Sequence, residues 1–156
     1  MKAIIIILLL GICLSYDFYY PIAAIKYALK YCKNYNPDYN NYKLRKDGAN
    51  FVSQCMYNAG QSFDGCAGRD KKGMIRYAKD LKECLISKGW RTSSTKHLYF
   101  RPGHPVFIKS EYSIGYPALC TGNDGKYIYI SSHDPDLCDT RIEPDKLDYY
   151  FKDVKH

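Results

Sequence analysis

Nucleophilic chemistry in this chain would have to come from its cysteines and histidines, and one stretch gathers the signals for it: Asp47-Gly48-Ala49-Asn50-Phe51-Val52-Ser53-Gln54-Cys55-Met56-Tyr57-Asn58-Ala59-Gly60. A thiol acts as a nucleophile only as thiolate, and it needs a neighbouring imidazole to take and return a proton. The start of a helix favours such a thiolate, because unpaired N–H groups and the helix dipole lower a thiol pKa and can stabilise an oxyanion. Asp47 reads as an N-cap for a helix and Gly60 as its left-handed stop. Phe51, Val52, Cys55, Met56 and Ala59 share one helical face. Cys55 lies two turns inside on that face, which makes it core or a disulfide partner. Ser53 reads as packing, and Asn50 and Gln54 either pin the helix by hydrogen bonds or line a cleft. Of the histidines, His97 and His104 precede predicted strands in loops, and His133 ends one.

The rest of the chain must position this helix. Lys2 and the apolar run that follows it, ending at Cys13-Leu14-Ser15, predict a secretory leader over residues 1–15. The run is short for a membrane span, and no second apolar stretch suggests one. Cleavage leaves a single domain, residues 16–156, large enough for its own core. It also removes one of seven cysteines. The six that remain, Cys32, Cys55, Cys66, Cys84, Cys120 and Cys138, predict three disulfides in an oxidising compartment, each adding about 2–4 kcal/mol. No zinc-ligand spacing occurs, so neither a metal nor a cofactor is expected. The formal net charge of +7 falls to +6 without Lys2. It is scattered over Lys43–Lys46, Arg69–Lys72 and the third helix, with no nucleic-acid platform. The expected product is a secreted monomer with no nucleic-acid partner and no membrane contact after cleavage. Seventeen tyrosines include a local Tyr/Asn-rich stretch, Tyr31, Tyr35, Tyr39 and Tyr42, suited to a glycan or peptide if exposed.

Pro21 starts a first helix, with Ile22, Ile25, Ala28/Leu29 and Cys32 as its stripe to about Lys33. Loops cover Asn34–Lys46 and Gln61–Lys72. A third helix is predicted from Gly73 to Lys88, with Met74, Tyr77/Ala78, Leu81 and Cys84/Leu85 inward and Gly89 ending it. Trp90 is expected in the core. Strands follow at Val106–Lys109, Tyr116–Thr121 and Lys126–Ser131, the last two joined at Gly122-Asn123-Asp124-Gly125. Tyr127 and Tyr129 alternate with Ile128 and Ile130, as one buried face requires. The segment after Pro135 reads as a loop, and Pro144–Phe151 as a short element, helical if regular. Helices first and an antiparallel sheet second make an α+β domain.

Asp47-Gly48-Ala49-Asn50-Phe51-Val52-Ser53-Gln54-Cys55 resembles the signature of the putative amidase domain family, which is similar to papain-like cysteine hydrolases of the CHAP and NlpC types. That pattern reads Asp-Cys-x-Asn-Phe-Val-Ser-Gln, and its first Cys is the nucleophile. Pro102-Gly103-His104-Pro105-Val106-Phe107, Gly115-Tyr116-Pro117-Ala118-Leu119 and Ile130-Ser131-Ser132-His133-Asp134 fall in the order of the family's strand motifs, so the likeness runs from about Ala23 to Asp139. The resemblance implies a papain-like fold, with N-terminal helices packed on a small antiparallel sheet. It puts Gly48 at the nucleophile position, Tyr116 at the general base and His133 at the orienting position. Glycine has no reactive atom, and a phenol with a pKa near 10 is a poor base at neutral pH. Loss of the nucleophile alone can cost on the order of 10⁶ in turnover. The expectation is an inactive amidase-like module whose Asp47, Gly48, Asn50, Tyr116 and His133 face a peptide or cell-wall-type glycan ligand. Two alternatives stand beside it: an active cysteine amidase with a rewired site, and a disulfide-stapled effector without a cleft.

Overall fold

A computed structural model describes residues 18–40, 42, 47–93, 100–111 and 114–152. The expected leader, Lys43–Lys46 and His97 lie outside them. Three helices precede the whole sheet: α1 (Pro21–Tyr31), α2 (Gly48–Asn58) and α3 (Ala78–Ser87). Six strands follow: β1 (Trp90–Ser93), β2 (Pro105–Ile108), β3 (Tyr116–Asn123), β4 (Ile128–His133), β5 (Asp136–Ile142) and β6 (Leu147–Lys152). They form one antiparallel sheet in the order β1-β6-β2-β3-β4-β5. The α+β expectation therefore holds. Among the described residues, no helix is long and apolar enough to cross a membrane.

The sheet divides the core in two. Phe51, Val52 and Met56 of α2 pack with Ala24 of α1, Leu81 and Leu85 of α3, and Trp90, Phe107, Leu119 and Tyr150 from the strands. Val106, Ala118, Cys120, Ile128, Ile130 and Tyr149 form a second cluster. Neighbouring strand positions thus serve different clusters, as the pleat demands. Ile128 and Ile130 are buried and Tyr129 between them is half-buried, matching the expected alternation.

Local chemistry accounts for the helix positions. Pro at the first turn opens α1. Its inward residues are Ala24, Tyr27 and Ala28, whereas Ile22 and Leu29 of the expected stripe face outward. Two alanines allow a close approach to α2, and the turn of the helix brings the Tyr27 hydroxyl to Gln54 Oε1 at 2.7 Å. α2 stops where Gly60 takes φ +96°, and a Cβ there would sit 2.4 Å from the Phe18 carbonyl oxygen. α3 begins at Ala78, five residues later than expected. Asp70 organises the intervening turn, taking the N–H groups of Lys72 and Met74, and Ile75 bridges back to Arg69. Met74 and Ile75 are buried from that turn and not from a helix.

Two expectations at the C-terminal end are corrected. The segment after Pro135 is a strand: β5 lies at the sheet edge, where charged residues such as Asp136, Asp139 and Arg141 discourage further pairing. Pro144–Lys146 is a single 3-10 turn and the rest is β6, inserted between β1 and β2. Its Leu147-Asp148-Tyr149-Tyr150-Phe151 run has the aromatic content of a strand.

Among the described residues the cysteines form two disulfides, Cys32–Cys138 and Cys66–Cys84. Cys55 and Cys120 are free and buried, against the expectation of three bridges. The reason is placement: Cys55 belongs to the helix-side cluster and Cys120 to the second cluster, so their thiols do not meet.

Candidate functional site

α2 delivers the site. Gly48 is its first residue, and Asp47 immediately before it supplies no capping hydrogen bond. The Asp47 carboxylate turns away, and its Oδ2 lies 2.8 Å from His133 Nδ1. This corrects the N-cap expectation. Both side chains are buried. The ring of His133 sits between Phe51 and Tyr35, with centroids at 4.0 and 4.3 Å. His133 Nε2 lies 2.7 Å from the Tyr31 carbonyl oxygen. A carbonyl only accepts, so Nε2 carries a proton and donates it there. The Asp47–His133 contact then holds a second proton on the line between Nδ1 and Oδ2. Burial pushes the Asp47 carboxyl pKa up, opposed by the hydrogen bond and charge of His133. The pair joins the end of α1, the start of α2 and the end of β4. Both imidazole nitrogens are committed to it.

On the other side Gly48 lines a cavity of about 370 Å³ together with Ala49, Arg76, Lys79, Tyr116, Pro117 and Asp134. A Cβ at residue 48 would lie 3.1 Å from the Pro117 carbonyl oxygen, 3.4 Å from that of Asp134 and 3.5 Å from Ser132 Oγ. A side chain here would press on the backbone of β3 and on the turn after β4. Ser132 Oγ already donates to the Pro117 carbonyl at 2.9 Å. Tyr116 opens β3 and is 36% exposed, on the wall of the cavity. The phenol does not fill it. The Arg76 guanidinium lies over the rings of Tyr42 and Tyr77, at 4.8 and 5.3 Å from their centroids. Arg76, Lys79 and Asp134 are the cavity's charged wall residues, and Lys79 also lies 3.8 Å from Glu83.

Of the five expected ligand-facing residues, the structure brings Gly48 and Tyr116 to one cavity. Asp47 and His133 pair behind it. Asn50 is buried and donates to Asp70 Oδ2 at 3.1 Å. Gln54 extends that network, donating to Asn50 Oδ1 and accepting from Tyr27, which itself accepts from Asn36. These amides therefore pin α2 to its neighbours. Ser53 Oγ donates to the Asn50 carbonyl and accepts the N–H of Ile75. His104, expected in a loop, is buried against Tyr19 and Trp90. Burial, and then the Arg101 charge, lower its pKa to about 4. Burial raises the Cys55 thiol well above its ordinary value and the Cys120 thiol to about 12.

Sequence reasoning missed Asp70 and Arg76. Burial works to raise the Asp70 carboxyl pKa, but donors from Asn40, Met74, Lys72 and Asn50 override it and hold it low. The Asp-Lys-Lys-Gly run over 70–73 was a turn signal that could have marked it. Nothing local distinguishes Arg76 from other basic residues.

The arrangement is an α+β domain in which a helix N-terminus opens into a cavity beside an antiparallel sheet. Residues 18–101, more than half of the chain, match the family model described as Putative amidase domain, and the chain belongs to that family. No curated protein and no solved structure matches it.

Proposed function

We propose that this is a secreted, papain-like member of the family that binds a peptide or cell-wall-derived ligand through a carboxylate and does not hydrolyse it. The observation that carries this reading is the meeting of Gly48 and Tyr116 on one open cavity, where the resemblance asks for a thiol and an imidazole. The first turn of α2 has no side-chain cap, so its N–H groups suit an anion. Arg76 and Lys79 add positive charge at the wall. His133 stands at the orienting position, but both its nitrogens are engaged, one on a carboxylate and one on a carbonyl. Secretion is supported by the leader-like residues 1–15 and by two disulfides.

A rewired cysteine enzyme finds little support, since the two free thiols are buried and held protonated. An effector without a cleft is disfavoured by the open cavity that Gly48 and Tyr116 line. The test is titration calorimetry with peptides that end in a free carboxylate and with their carboxamides. The carboxylates should bind and the carboxamides bind at least about tenfold more weakly, the loss expected for one charge-assisted hydrogen bond. Arg76→Ala should weaken the carboxylates selectively. Mass spectrometry of the same mixtures should find the peptides intact, and cleavage would overturn the reading.

A further inference from the structure

The outward face of α1 has no role in the site. Ile22, Lys26, Leu29 and Lys30 recur at helical spacing on the side opposite Ala24, Tyr27 and Ala28. Ile22 is 68% exposed and Leu29 44%. Phe18 and Tyr20, just before the helix, are 68% and 61% exposed, with ring centroids 6.5 Å apart. Lys33, past the helix end, lines a separate groove with Asp136 of β5 and is not part of this face. No acidic residue occurs from Pro21 to Lys33. Large apolar side chains are thus exposed on a helix face whose own charges, Lys26 and Lys30, are both positive. A buried partner helix would cover the isoleucine and leucine, but desolvate the lysines. Water suits the lysines alone.

We propose that this face docks on a lipid bilayer bearing anionic headgroups. Such a surface accepts both halves of the pattern. The rings of Phe18 and Tyr20 and the side chains of Ile22 and Leu29 enter the boundary between headgroups and acyl chains. The Lys26 and Lys30 stems reach back to the phosphates, Lys30 leaving the Tyr31 ring over which its ammonium lies at 4.7 Å. The helix lies in the interface plane and does not span it. This departs from the expectation of no membrane contact after leader cleavage, which was drawn from the lack of a second apolar run. It stands apart from the cavity at Gly48 and does not depend on what that cavity binds.

The test is co-sedimentation of the full chain with vesicles of phosphatidylcholine alone or mixed with phosphatidylserine. The chain should pellet with the anionic vesicles and be released by salt. Lys26→Ala with Lys30→Ala should weaken binding about thirtyfold, at the usual worth of a lysine near such a surface. Ile22→Ser with Leu29→Ser should weaken it by about tenfold or more, with melting unchanged because both side chains are exposed. Equal binding to neutral vesicles would overturn the proposal. So would undiminished binding of the paired variants, as insertion by residues 1–15 alone would give. Retention on double-stranded DNA that survives Ile22→Ser with Leu29→Ser would also overturn it, in favour of a simple polyanion site.

Discussion

Asp47 Oδ2 and His133 Nδ1 lie 2.8 Å apart, both buried, one at the start of α2 and the other at the end of β4. They share a proton and fasten the helix whose first residue opens the cavity. Removing one partner leaves the other buried and unpaired. His133→Ala and Asp47→Ala should each destabilise by about 3–5 kcal/mol, read from urea midpoints. The double variant should lose less than the sum, because the two side chains form one unit.

The free thiols give a second expectation. Cys55 and Cys120 are buried and their pKa values raised. Alkylation of the folded, unreduced protein should label no cysteine of the described fold. Unfolding without reduction should label both, and peptide mapping should find Cys32 joined to Cys138 and Cys66 to Cys84. Rapid native labelling of Cys55 would contradict the burial and reopen a thiol chemistry. Replacing Cys32 and Cys138 by Ser should cost about 2–5 kcal/mol.

His104 sets a pH dependence. Its folded pKa is lowered to about 4 from the ordinary 6.5. The unfolded chain therefore takes up a proton that the folded one refuses. Stability from this group is intact above pH 6.5, falls as pH drops through the window down to about 4, and changes no further below it. The loss approaches about 3 kcal/mol. A His104→Gln variant should show a flatter stability profile between those pH values.

Position 48 separates space from chemistry. Gly48→Cys should fold, with a modest penalty of about 1–3 kcal/mol for pressing Cβ toward the Pro117 carbonyl. It should remain inactive on peptide amides, because Tyr116 and not an imidazole shares the cavity. Turnover by Gly48→Cys alone would mean that another group serves as base.

Much of this was legible in the sequence because it is local. The Asn-Phe-Val-Ser-Gln helix, the alternation about Ile128 and Ile130, and the stops at Gly60 and Gly89 all follow from spacing and backbone preference. The missed features are non-local. An N-cap aspartate looks the same whether it caps its helix or reaches a histidine 86 residues away. β5 carries no apolar alternation because it is an edge, and so it reads as a loop. Which face of α1 turns inward is also non-local: Ala24 and Ala28 fit closely against α2, and the Tyr27 hydroxyl meets Gln54 only in the folded chain. The even cysteine count suggested full pairing, yet the sheet stands between the two thiols that remain.

Binding without hydrolysis beside Gly48 can be read in one experiment. It is tested most directly by titrating the ¹⁵N-labelled protein with a peptide bearing a free C-terminal carboxylate, and following amide shifts and peptide integrity together. Shifts should concentrate at Gly48, Ala49, Gly115 and Tyr116, and saturate while the peptide stays whole. Cleaved peptide, or saturation with those amides unmoved, would contradict it.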